Sequence, residues 1–133
     1  MGMPKPPLPE HLQALLAKPN PAVVATLRAD GAPNTVATWY LWDNGRVLVN
    51  LDGSRKRLEH LRRDPRVSLT VLDEAGWGRH VTLHGRVASI VDDPDLVDID
   101  RISMQYLGSP YPDREHPRVS VWIEVESWYA WQV

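Results

Sequence analysis

Between Asn50 and Arg66 a β-rich run ends in the turn Asp52-Gly53-Ser54, and the cationic series Arg55-Lys56-Arg57 follows, continued by Arg62, Arg63 and Arg66. From 55 to 66 there are six basic residues against two acidic ones, Glu59 and Asp64, a local excess of four positive charges in a chain of formal charge −2. A strand end, a tight turn and a helix start bring unpaired backbone N–H groups, the Ser54 hydroxyl and guanidinium forks to one spot. That is the chemistry of an anion site, most naturally for a phosphate. The same series also reads as a solvated helix face, because charge runs usually lie at the surface. Its placement at a turn that opens a helix favours the anion site.

Trp39, Trp42 and Trp77 are of a type that stacks on a planar ring, and Trp77 sits in a Gly76-Trp77-Gly78 setting suited to a contact loop. Singly, each tryptophan reads equally as core or as subunit interface. A phosphate site beside aromatic strands points to a phosphorylated aromatic cofactor. Asn50 alternates with Val49 and Leu51, so it faces away from them and is placed to hydrogen-bond a ring edge, unless it only meets solvent.

Other chemistries lack their residues. There is no Cys, which removes disulfides, thiolate nucleophiles and zinc–thiolate sites together. His80 and His84 share a strand face but stand roughly 13 Å apart by strand rise, too far to share a metal. His11, His60 and His116 read as surface residues, and Ser120 and Ser127 as ordinary strand positions. No Gly-x-Ser-x-Gly elbow is present. The carboxylates at Asp92-Asp93 and at Asp98 and Asp100 lie where a helix starts and read as caps.

The elements that must position these residues follow from pattern and punctuation. Leu12, Leu15 and Leu16 stripe a short helix over 11–17 behind Pro9. Runs at 22–27, 35–42 and 46–51, separated by Asp30-Gly31 and Asp43-Asn44-Gly45, predict an antiparallel three-strand meander. A helix follows over 55–63, with Ser54 as N-cap, Leu58 and Leu61 on one face, and Asp64-Pro65 closing it. Strands are predicted at 67–72, at 80–91, long enough to bend, and at 118–127 before the aromatic tail Trp128-Tyr129-Ala130-Trp131. A helix over 96–106 and a proline-containing loop over 108–117 lie between the last two. Strands dominate, so the expected fold is mainly β: a six-stranded antiparallel barrel with short flanking helices.

At 133 residues, 43% of them apolar and 24% charged, the chain fits one globular domain over 1–133. Its near-neutral charge argues against nucleic acid as a partner. The proline-rich residues 1–9 are expected to be mobile and show neither a signal peptide nor a membrane anchor, which predicts a cytoplasmic protein. Six Trp in so small a domain predict apolar surface buried against a second copy.

The strand 23–28, the turn Asp30-Gly31-Ala32-Pro33, Trp39-Tyr40, the stretch from Val49 to Arg57 and Leu61-Arg62-Arg63-Asp64-Pro65-Arg66 together resemble the pyridoxamine 5′-phosphate oxidase-like split-barrel proteins over about residues 20–125. The Leu-Arg-Arg-Asp-Pro-Arg stretch and the Gly76-Trp77 pair are similar to the actinobacterial branch that binds the deazaflavin coenzyme F420. The resemblance implies a six-stranded split β-barrel with Greek-key connections and a homodimer with cofactors in clefts between protomers. It implies a phosphate held by the strand–turn–helix from Asn50 through Ser54, Arg55, Lys56 and Arg57, and a ring met by Val36, Ala37, Thr38 and Trp39. Trp77 matches a residue that closes the pocket of the neighbouring subunit. Two departures stand out: the family often has Lys where this chain has Arg57, which changes donor geometry, and the C-terminal extension of the true oxidase has no counterpart. Pyridoxine phosphate oxidation is therefore not expected.

The expected activity is F420-dependent hydride transfer to an activated double bond of a conjugated or lipophilic small molecule, with Tyr106 and Tyr111 on the substrate rim within 104–118. Such a reaction needs no catalytic triad, because the cofactor carries the hydride. Alternatives are an FMN-binding reductase or oxidase, and a non-catalytic module that holds flavin, deazaflavin or haem.

Overall fold

The computed structural model describes residues 2–133; Met1, the first residue of the proline-rich segment, lies outside them. The first helix, α1 (Glu10–Leu16), starts behind Pro9 and buries Leu12, Leu15 and Leu16, as its stripe predicts. Ahead of it, Leu8 is buried and the Pro4 carbonyl accepts the Trp128 N–H at 3.0 Å.

The strands are β1 (Ala22–Leu27), β2 (Pro33–Thr38), β3 (Leu41–Asp43), β4 (Arg46–Asp52), β5 (Arg66–Leu72), β6 (His80–Asp92) and β7 (Arg118–Trp131). Helix α2 (Lys56–Arg63) lies between β4 and β5, and α3 (Val97–Leu107) between β6 and β7. All seven strands form one antiparallel sheet in the order β2-β1-β5-β6-β7-β4-β3. The expectation of six strands in a closed barrel is thus corrected: among the described residues there are seven, and no ladder joins the two edges. The edges are nonetheless consecutive in the chain, since only Trp39 and Tyr40 separate β2 from β3, so the sheet must curl to bring them together.

The same junction corrects the meander. The run 35–42 divides because its first part pairs with β1 and its last part with β4, on opposite flanks of the sheet. Tyr40 turns fully inward there. The tight turn before β4 forms as predicted, with Asn44 at φ 53° and Gly45 at φ 86°. The aromatic tail is strand: Trp128 to Trp131 continue β7 and pair with His80–Leu83, because β6 extends that far and its backbone groups need a partner.

Strands β6 and β7 span both halves of the curled sheet, and their register shifts between His84 and Gly85 and again between Val87 and Ser89. These irregularities bend the long pair. The main core gathers α1, Tyr40 and the inward residues of every long strand, among them Val47, Val71, Val81 and Val121. Leu48, Leu96, Ile99 and Ile102 are buried outside that cluster, on the side covered by α3. No helix among the described residues is long and apolar enough to cross a membrane.

Gly85 is the position where the bend depends on a missing side chain. A Cβ there would stand 2.1 Å from the Glu124 carbonyl oxygen, which is backbone and cannot swing aside. Gly85→Ala is expected to lose about 3 kcal/mol of stability in urea unfolding; a loss below about 0.5 kcal/mol would mean that the two strands separate easily at the bulge.

Candidate functional site

A cleft of about 570 Å³ opens where the β2–β3 junction, β4 and the start of β7 meet α3. Its wall is aromatic and aliphatic: Trp39 stacks on Tyr106 with ring centres 5.0 Å apart and planes within 7°, and Tyr111 meets the Trp39 ring edge-on at 6.2 Å. Ile99 and Ile102 of α3 supply the aliphatic part. Such a wall suits a flat, largely apolar body.

Tyr106 is fixed at both ends. Its hydroxyl donates to the Asn20 carbonyl at 2.6 Å and accepts the Tyr40 N–H at 3.4 Å. Burial pushes its phenol up to about 12, so it stays protonated at neutral pH.

The cationic side rests on Arg118, which lines the cleft at the start of β7. Arg118 donates from Nε to Asn50 Oδ1 at 3.0 Å and from Nη2 to the Asn50 carbonyl at 3.2 Å, and its guanidinium lies 4.8 Å over the Tyr111 ring. Asn50 in turn donates from Nδ2 to Asp93 Oδ2 and to Ser120 Oγ, both at 3.1 Å. Ser120 Oγ donates a hydrogen bond to Asp98 Oδ2 at 2.7 Å. Asp93 also accepts the Asp98 and Ile99 N–H groups, so it caps α3 as its position predicts. Asn50 therefore faces away from Val49 and Leu51, but its amide is spent on aiming Arg118 and not on a ring edge. Ser120 is a buried link and not an ordinary strand residue.

Register places Asp52 opposite Arg118, and the Gly53 N–H donates to the Pro117 carbonyl at 2.9 Å, so the turn before α2 lies against the same end of β7. Arg57 is the outlier of this turn. Its Nη1 is buried without a hydrogen-bond partner. Burial, and then the positive charges of Arg55 and Arg118, hold its pKa below the usual arginine range. Among the described residues none of Arg55, Lys56, Arg57 and Arg118 makes an ion pair. Buried donors are normally paired, so a guanidinium nitrogen without a partner beside like charge is suited chemically to an anion. Ser54 departs from expectation: its hydroxyl and N–H both go to Asp52 Oδ1, and Arg55, not Ser54, occupies the N-cap of α2.

Of the residues singled out in the sequence, the cleft gathers Ala37, Thr38, Trp39, Asn50, Tyr106 and Tyr111. Arg57 is joined to it electrostatically through Arg118, with Arg55 and Lys56 exposed beside it. Val36 is not in the cleft; it packs against the main core. Trp77, 75% exposed on the loop after β5, also lies outside the cleft of its own chain. Trp42 likewise packs on the core. Sequence reasoning missed Arg118, whose only local signal is its position as the first cation after the loop that ends in Pro117. His60, instead of lying free at the surface, bonds to Thr26, and His84 bonds to Ser68.

The fold is that of a small, mainly β protein: a curled antiparallel sheet with an aromatic-walled cleft near an unpaired cationic turn. Residues 8–132 match the family described as pyridoxamine 5′-phosphate oxidase, and the chain belongs to it. Among solved structures it is similar to an F420 reductase, at 26% identity and a TM-score of 0.82, over 92% of this chain and 98% of the other. A conserved hypothetical protein from Mycobacterium tuberculosis aligns over 96% of this chain and 86% of its own, at 24% identity and a TM-score of 0.73. General stress protein 26 from Bacillus anthracis shares the fold at 18% identity and a TM-score of 0.72, over 92% of each chain.

Asn50→Leu tests the polar chain beneath the cleft. It strips Asp93, Ser120 and Arg118 of a shared partner, and a stability loss of about 2 kcal/mol in urea unfolding is expected. A loss within 0.5 kcal/mol would mean that Arg118 is held by other contacts.

Proposed function

We propose that the chain is an oxidoreductase that binds coenzyme F420 in this cleft and uses its reduced form to saturate an activated double bond of a conjugated or lipophilic small molecule. The observation that carries the reading is the orphaned Arg57 Nη1 within reach of the charges of Arg55 and Arg118, the latter lining a cleft walled by Trp39, Tyr106 and Tyr111. The residues fit the group. A phosphate satisfies the buried guanidinium and the free N–H groups at the start of α2, and a flat ring fits against Ala37, Thr38 and Trp39. The likeness to an F420 reductase over almost the whole of both chains supports a deazaflavin as the ring.

When bound, the reduced deazaflavin supplies the hydride. The protein's part is to hold and orient. Arg57 and Arg55, with Lys56 beside them, fix the anionic end; Asn50 holds Arg118 in place; and the stacked Trp39 and Tyr106 keep water from the reacting face. The cleft is open on one side, and Trp77, Tyr129 and Trp131 are exposed apolar groups. A second copy that covers these groups completes the proposed site, with Trp77 closing the partner's cleft. Sedimentation of a particle with twice the 15.1 kDa chain mass supports this part, and a stable cofactor-bound monomer overturns it.

FMN is the second reading, favoured by the family itself, and one titration separates the two. Quenching of tryptophan fluorescence is expected to give tighter binding of F420 than of FMN; the reverse order makes the protein a flavin enzyme. Arg55→Ala with Arg57→Ala is expected to weaken cofactor binding by at least about 100-fold, since charge-assisted hydrogen bonds contribute roughly 1.5–3 kcal/mol each. Unchanged affinity removes the phosphate assignment.

A further inference from the structure

Reduction of a double bond needs a proton as well as a hydride, and the cleft's hydroxyl groups can be traced one by one. Thr38 Oγ1 donates to the Trp39 carbonyl at 2.9 Å. Tyr106 Oη donates to the Asn20 carbonyl, and Ser120 Oγ, beneath Asn50, donates to Asp98. Tyr111 remains. Among the described residues its hydroxyl has no hydrogen-bond partner, while the rest of the residue is clamped. Its N–H donates to Asp100 Oδ1 at 3.0 Å, its carbonyl accepts Arg114 Nη1 at 3.1 Å, and Arg114 closes the clamp on Asp100 at 2.6 and 3.1 Å. Its ring is held between the edge-on contact with Trp39 and the guanidinium of Arg118.

A phenol with its backbone and ring fixed and its O–H unspent, in a cleft otherwise without a free acid, is a preorganised proton donor. We propose that Tyr111 is the general acid of the reaction, a role that rests on the proposed reductase activity. The double bond accepts the hydride at one carbon. Tyr111 Oη gives its proton to the negative charge this leaves, either at the adjacent carbon or at the enolate oxygen. The phenolate left behind forms beside the fixed positive charge of Arg118, and solvent reprotonates it through the open side of the cleft. Two electrons and two hydrogens reach the substrate, and the donor leaves oxidised by two electrons.

The test is Tyr111→Phe, which keeps the ring, its contact with Trp39 and the backbone clamp. Three readouts are taken on wild type and variant: the affinity for oxidised F420 by tryptophan quenching, turnover of a panel of cyclic enones and quinones with reduced F420, and the solvent deuterium isotope effect on that turnover. Unchanged cofactor affinity, a fall in kcat of at least about 100-fold with little change in KM, and a changed isotope effect are expected. Equal kcat and an equal isotope effect overturn the role of Tyr111 while leaving the reductase intact. A variant that loses cofactor affinity as well marks Tyr111 as a wall residue and overturns its role as the acid. If wild type binds no F420 or reduces no member of the panel, the functional reading falls and the proton-donor role falls with it.

Discussion

Asn20 and Tyr40 are both fully buried, and the aromatic wall of the cleft formed by Trp39 and Tyr106 is tied to them. Tyr40 donates its hydroxyl to the Leu16 carbonyl at 2.7 Å and accepts Asn20 Nδ2 at 3.1 Å; Asn20 also reaches the Leu15 carbonyl and receives the Glu74 N–H. The end of α1, the β2–β3 junction and the loop after β5 are thereby pinned at one point. The Asn20 carbonyl then takes the Tyr106 hydroxyl, which brings in α3. Burial pushes the Tyr40 phenol far above its ordinary range, so it remains a donor at any physiological pH. Each bond contributes modestly, but an unpaired member of this buried group would cost more than its bond contributes. The stack of Trp39 on Tyr106 is a consequence: Trp39 adjoins Tyr40 in sequence, and Tyr106 is held by the Asn20 backbone.

The formal charge of −2 conceals the feature on which binding turns. Arg55, Lys56 and Arg57 stand at the start of α2, where the charges of Arg55 and Arg118 reach Arg57, and the acids close to Arg118 have other partners as well. Asp93 caps α3 and holds Asn50, Asp98 accepts from Ser120, and Asp52 is engaged with Ser54. Arg55, Lys56 and Arg57 are left without ion pairs among the described residues, close to Arg118, which lines the cleft. The proposed phosphorylated ring would use both parts, where a polyanion such as nucleic acid would demand a far wider basic surface.

Local signals were strong where period and punctuation agree. The strand 22–27, the Asp43-Asn44-Gly45 turn, the helix with Leu58 and Leu61 inward, and the caps at Asp93 were all readable, because each depends on residues a few positions apart. The division of 35–42 was not, since a continuous β-rich run carries no mark of which partner each half will take; only the crossing of the sheet decides that. Nor did residues 128–131 announce themselves as strand, as their pairing is dictated by how far β6 extends. Arg118 stands 68 positions from Asn50 in sequence, and its role exists only through register. Asn50 shows the limit most clearly: its face was legible from alternation, but its partners, Asp93, Ser120 and Arg118, all come from beyond residue 90.

The central claim is that the cleft and the Arg57 turn bind one and the same molecule, ring in one and phosphate in the other. Crystallographic difference density for the protein grown with oxidised F420 tests it most directly. A phosphate within hydrogen-bonding distance of Arg57 Nη1 and a deazaflavin ring along Ala37, Thr38 and Trp39 are expected. Density for the cofactor elsewhere on the protein, or a ring in the cleft with its phosphate directed away from Arg55 and Arg57, would contradict it.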